Sequence, residues 1–247
     1  MSLAPFQADS IGPLTASLQR NELLPFIFNE WSDAAVQQAS VFVATAPALP
    51  YTSHQLQVLR AFVARGGILL MNAGWEEKGP AMQGLLDEFG LDILRIPLGP
   101  FPVNRTENHL ANQPQFINAW PVVVTEPAAQ AMFEQARTVY RPPVLDLPQA
   151  QRLEGLMQNL LDSQGPAGAS QRTPPPSQRT PPEIQVLFQT DEHLPLALAR
   201  RIGKGAVVLI GDTYFLGHDN LESIRFYRQG NILFLKYVFD TLRGRRG

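Results

Sequence analysis

Apolar residues recur along this chain in two rhythms. Short continuous runs, "ELLPFIF" near residues 23–28 and "ASVFVATAP" near 40–45, are rich in valine and phenylalanine and predict strands, with a helix-sized stretch between them. After Pro50 the rhythm changes: Leu56, Leu59, Phe62 and Val63 fall at helical spacing, Thr52 or Ser53 stands where an N-cap is needed, and Gly66 supplies the stop. "GILLMNAG" then predicts a buried strand. "GPAMQGLLDEFGLDIL" predicts a helix with Met82, Leu85, Leu86 and Phe89 facing inward, followed by a further strand.

The middle of the chain is less regular. Pro97, Pro100, Pro102 and Pro114 interrupt residues 97–120, after which "WPVVVTEP" and "ARTVYRPP" read as strands and "LPQAQRLEGLMQNLLDS" as an amphipathic helix. Residues 164–183 repeat SQRTPP from Ser170 and again from Ser177, with almost no apolar content. Residues 165–182 are therefore expected to form a mobile, proline-rich loop inside one domain spanning 1–247. The repeat also suits a polyproline-binding module, and Thr173 and Thr180 precede prolines as proline-directed phosphorylation sites do. Three predicted elements close the chain: a strand at "IQVLFQT", a β-hairpin near residues 196–211 turning at its glycines, and a long apolar helix from Asn220. Strands alternating with helices predict an α/β body with a mainly parallel sheet covered on both faces.

Composition narrows the function classes. With 45% hydrophobic residues and a formal net charge of -2, the chain has the makings of a core and no broad electropositive surface, so nucleic acid is not the expected partner. Its basic cluster, Arg243, Arg245 and Arg246, is terminal. The absence of cysteine removes disulfides, thiolate metal sites and cysteine nucleophiles. No run approaches the ~20 apolar residues of a membrane-spanning helix. The first residues, "MSLAPFQADS", lack the features of a signal peptide, so a soluble chain is expected, cytoplasmic or an excised extracytoplasmic domain.

Candidate chemistry concentrates in "GKGAVVLIGDTYFLGHDNLE", residues 203–222. A phosphate loop needs its glycines and lysine after the strand, whereas Gly203, Lys204 and Gly205 precede it. Asp212, Thr213 and Tyr214 follow the strand, at the carboxyl end where parallel sheets gather ligands. A metal reading would recruit Asp212, His218, Asp219 and Glu222, but their spacing matches no calcium loop, and no metal or cofactor is expected. The plain structural reading has Asp212 bonding turn amides and Asp219 or Asn220 capping the last helix. On that basis Lys204→Ala is nearly neutral, and Asp212→Ala costs about 1–2 kcal/mol, the scale of one carboxylate hydrogen bond.

The helix, glycine pair and strand of "YTSHQLQVLRAFVARGGILLMNAG", followed later by "ALARRIGKGAVVLIGDTYFLGHDNLE" and "NILFLKYVFDTL", resemble the non-catalytic branch of the class I glutamine amidotransferase-like superfamily. The resemblance spans most of residues 13–244 and implies a flavodoxin-like three-layer sandwich. It places Asn72 where catalytic members carry a cysteine, and Asp212 and Thr213 where a His-x-Glu dyad would stand, implying no glutaminase activity. It also leaves residues 1–12 as a weak first strand, so the chain reads as beginning inside the domain.

The expected function is a non-catalytic ligand- or protein-binding or scaffold domain. Its candidate pocket comprises Asn72, Gly74, Trp75, Glu76, Asp212 and Tyr214, with a small molecule, carbohydrate or protein as partner. The alternative is a hydrolase or carbohydrate-processing enzyme in which Asp212 works with Glu76 or Glu77 as acid and base. A third arrangement, a homo-oligomeric structural module, calls for an apolar patch on the outer face of the closing helix.

Overall fold

The computed structural model describes residues 12–27, 30–45, 47–76, 78–102, 113–126, 138, 140–142, 183–217, 220–221 and 229–243. The chain divides into two units, and every described residue belongs to the first, Met1–Pro142 with Glu183–Gly247. The expected loop at 165–182 and the helix expected from Leu147 fall in the second, Pro143–Pro182, outside the described residues.

A five-stranded sheet forms the centre. Its order is β1 (Val41–Thr45), β2 (Ile68–Asn72), β9 (Gly205–Ile210), β8 (Pro195–Ile202) and β7 (Ile184–Gln189). The first three strands run parallel, and β9, β8 and β7 are successively antiparallel. Two small antiparallel sheets join β3 (Leu91–Ile93) to β6 (Val122–Val124) and β4 (Gly99–Phe101) to β5 (Phe116–Ala119). The central sheet is thus mixed, with two parallel and two antiparallel pairings, and with the two small sheets included most described pairings are antiparallel, so the expected flavodoxin-like, mainly parallel sandwich is corrected. Turn length gives the physical reason. A parallel pair needs a crossover of about a dozen residues or more, whereas β7 and β8 are joined across the Thr190–Leu194 turn and β8 and β9 across Gly203 and Lys204.

Alternation along the strands sorts the core onto two faces. Ile68, Leu70, Ala206, Val208 and Ile210 pack with α1 (Gly12–Arg20), Phe116, Phe215 and the apolar side of α5 (Gln229–Leu242). Leu69, Met71, Val207 and Leu209 pack with α2 (Asp33–Gln38), α3 (Ser53–Ala64) and α4 (Gly79–Glu88), where Phe62, Met82 and Leu86 are fully buried. Local chemistry sets the α3 boundary: the Thr52 hydroxyl accepts from the Gln55 amide while the Gln55 side chain accepts from the Thr52 amide, a reciprocal capping box.

The strand expected at 23–28 does not form over its described part. Residues 23–27 carry no regular structure, and Leu24 is 92% and Phe26 74% exposed. Nor do 138 and 140–142, the described part of "ARTVYRPP", form a strand; Tyr140 instead packs its ring on Phe234 and Tyr237 of α5. Among the described residues no helix is long and apolar enough to cross a membrane.

Candidate functional site

The carboxyl ends of β2 and β9 lie side by side, with Asn72 registered against Ile210. Each strand runs directly into a loop, and two side chains lace the loops together. The Asn72 amide donates to the Thr213 carbonyl at 2.7 Å and to the Asp212 carbonyl at 3.5 Å, while the Thr213 hydroxyl accepts from the Gly74 backbone at 2.6 Å. Asn72 and Asp212 are fully buried.

Asp212 binds toward the other side. One carboxylate oxygen accepts from the backbone amides of Ile117 at 2.5 Å and Asn118 at 3.2 Å, and the other accepts from Tyr214 at 2.8 Å. The side chain therefore caps the start of β5 and its own turn together, the charge-assisted geometry in which a buried carboxylate is stable. Gly211 makes the approach feasible: its carbonyl accepts from the Trp120 amide at 2.7 Å, and a Cβ at Gly211 would run into the Trp120 carbonyl oxygen.

A second group of buried amides continues the fastening. Asn231 accepts from the Gln115 amide at 2.6 Å and donates to the carbonyls of Gln115 at 3.0 Å and Asn220 at 2.6 Å, and the Asn220 side chain donates to the Gln115 carbonyl at 2.7 Å. Thr213 was singled out at the strand end together with Asp212 and Tyr214, whereas Gln115 was not, and Asn231 entered only as the first residue of "NILFLKYVFDTL". For Asn231 a signal existed, a lone amide inside "GNILFLKYVF"; for Gln115 nothing local marks it.

The remaining candidates sit at the surface. Trp75 is half-buried against the α3–α4 face, with the Lys78 ammonium 3.8 Å from its ring centroid and held 2.8 Å from Asp92. That ring face is already occupied. Glu76 is exposed and Tyr214 is 38% exposed. The structure thus brings the Gly74 amide to the Thr213 hydroxyl, and with them the loops carrying Trp75, Glu76 and Tyr214, while it turns the Asp212 carboxylate inward to β5. Glu77, His218, Asp219 and Glu222 lie outside the described residues. Among the described residues no three His, Cys, Asp or Glu side chains are grouped to hold a metal ion.

At the opposite end of β9, Lys204 is an exposed turn residue whose backbone amide donates to the Ala64 carbonyl at 2.9 Å. Nothing about it resembles a phosphate cradle.

A family model, the domain of unknown function DUF4350, matches residues 16–223. The chain belongs to the DUF4350 family. This finding replaces the resemblance to glutamine amidotransferase-like domains, which no match indicates. No curated protein shows significant sequence similarity to this DUF4350 chain. Among solved structures it is similar to the mmIFT52 N-terminal domain, with a TM-score of 0.52 at 11% identity over 94% of this chain and 90% of that one. It is also similar to Cytoplasmic Protein STM1381 from Salmonella typhimurium LT2, with a TM-score of 0.47 at 14% identity over 94% of this chain and 86% of that one. At such identities the first likeness speaks to the fold alone.

Proposed function

We propose that this chain is a non-catalytic binding domain that contacts its ligand or partner through the surface around Trp75, Glu76 and Tyr214. One observation carries the reading: at the ends of β2 and β9 the Asn72 amide nitrogen and the Asp212 carboxylate are buried and engaged by main-chain groups, with Asn72 Oδ1 buried beside them without a partner. A general acid or base must come within hydrogen-bonding reach of substrate, and Asp212 is instead spent on three amides. What reaches solvent on the two laced loops is the Glu76 carboxylate, part of Tyr214 and the half-buried Trp75, one face of whose ring Lys78 covers.

A thermal-shift screen with peptides, carbohydrates and small metabolites tests this, since a ligand that binds the folded state raises the melting temperature by mass action. A hit recovered chemically unchanged, with its shift abolished by Trp75→Ala or Tyr214→Ala, is the expected result. Turnover of an ester, amide or glycoside that copurifies with the protein and falls in Glu76→Gln overturns the proposal, because that exposed substitution leaves folding intact.

A further inference from the structure

Among the described residues six large apolar side chains are exposed, and four of them flank one edge of the central sheet. β1 is the outermost strand on that side, with β2 its neighbour. Leu49, 79% exposed, stands in the connection that leaves β1. Leu24, Phe26 and the half-exposed Ile27 belong to the segment that brings the chain from one face of the sheet to the other. Leu23 packs against the same cluster as Val41 and Val43, while the Trp31 ring lies 6.0 Å from that of Phe42 on the opposite face, so this segment passes beside β1.

Charge is missing from the whole region. Residues 23–29, "LLPFIFN", and 41–53, "VFVATAPALPYTS", contain no Asp, Glu, Lys or Arg. Charged side chains on an edge strand are one of the main devices that keep a sheet from pairing with another chain, and β1 carries none. The closing helix, expected to offer an apolar patch for self-association, instead carries the exposed Lys236–Asp240 ion pair on its outer side.

We propose that the β1 side is the contact between two copies of this chain, related by a twofold axis so that Leu24, Phe26 and Leu49 of each copy cover those of the other. Area supports a partner of this size. The four side chains expose the equivalent of about three whole large apolar groups, roughly 500 Å² at the size of such side chains, which is more than half of the ~800 Å² per partner that a specific interface buries. Composition selects the second copy. Recognition between unlike proteins draws on complementary charges, which this patch lacks, whereas contacts between identical chains are the more apolar class and close most often as twofold dimers. None of these residues belongs to the surface around Trp75, Glu76 and Tyr214, so loss of one contact leaves the other intact.

Sedimentation equilibrium of the full chain, over about 1–100 μM, tests the dimer. The wild type should show twice the mass of one chain at the upper end of that range. The double variant Leu24→Ser with Phe26→Ser should weaken self-association about tenfold or more. Leu49→Ser should do the same from a different segment, which covers the case in which the first variant folds poorly. Ile96→Ser, an exposed apolar position in the β3–β4 connection, should leave the dimer intact, and circular dichroism of each variant checks that the fold is kept. A wild type of single-chain mass throughout the range means that another partner, or solvent, covers the patch, and overturns the proposal. So does a dimer indifferent to both sets of substitutions, one dissolved equally by Ile96→Ser, or a series of species growing beyond two chains.

Discussion

Removing the Asp212 carboxylate should be among the most damaging single substitutions in this chain. The side chain is fully buried and accepts hydrogen bonds from Ile117, Asn118 and Tyr214. Hydrogen bonds to charged groups contribute roughly 1.5–3 kcal/mol each, and the amides left behind pay a desolvation cost when nothing replaces the acceptor. The three bonds share one side chain and are not additive, and water entering the space would recover part of the loss. An expected cost for Asp212→Ala of about 3–5 kcal/mol follows, above the single-bond figure that the sequence suggested. Asp212→Asn should fall between, because its amide keeps one acceptor but turns a donor toward another donor. Lys204→Ala serves as the control and should lie within about 0.5 kcal/mol of wild type, as exposed substitutions do. Urea melts with matched slopes provide the comparison. A cost under about 1 kcal/mol for Asp212→Ala, or one no larger than that of Lys204→Ala, would refute the reading of Asp212 as a fastener.

Other outcomes follow from the same structure. Gly211→Ala should prevent stable folding, because its Cβ meets the Trp120 carbonyl, whereas Gly84→Ala in α4, with open space around it, should raise stability by up to about 1 kcal/mol; thermal melts compare the two. In acid, Asp33 is held below the ordinary aspartate value of 3.8 by the hydrogen bond from Trp31 and then by His54. Its contribution is therefore present above pH 3.8 and lost as pH falls through the lowered value, with Trp31 fluorescence as the readout. In alkali the sign reverses: burial pushes the Tyr51 phenol up to about 12 and raises Tyr140 as well, the latter helped by Tyr237. The Tyr51 contribution is complete below pH 10.0 and lost as pH rises through about 12, with that of Tyr140 lost later, so phenolate absorbance should show late-titrating tyrosines and unfolding together.

Local elements were legible where one principle decided them. The α3 cap and stop, the wholly buried β2, the inward set Met82, Leu85, Leu86 and Phe89, and the glycine-turn hairpin all follow from periodicity and turn chemistry within a few residues. The sheet's direction was less legible, since alternation of strands and helices in the first half suggested a parallel plan that the short turns of the second half forbid. "LLPFIF" misled for a different reason: its apolar content says nothing about whether a neighbouring strand offers backbone partners, and Leu24 ends up outside the core. At the strand ends, sequence located Asn72 and Asp212 and foresaw the bond from Asp212 to its own turn, made with the Tyr214 amide, but not the partners beyond it. Position in the chain cannot show that Asp212 turns toward amides at 117 and 118, nor that Asn231 braces Gln115, because those partners are brought close only by the fold.

The central claim, that the polar residues at the ends of β2 and β9 fasten loops and leave contact to the surface, is tested most directly by residue-resolved amide exchange of the wild type. Five amides bind side chains of the site: Gly74, Gln115, Ile117, Asn118 and Tyr214. The account predicts that they exchange slowly, within about tenfold of the amides of Val207 and Leu209 in β9. If β9 is protected while these five exchange at the rate of an open loop, the side chains are free for other work and the account is contradicted.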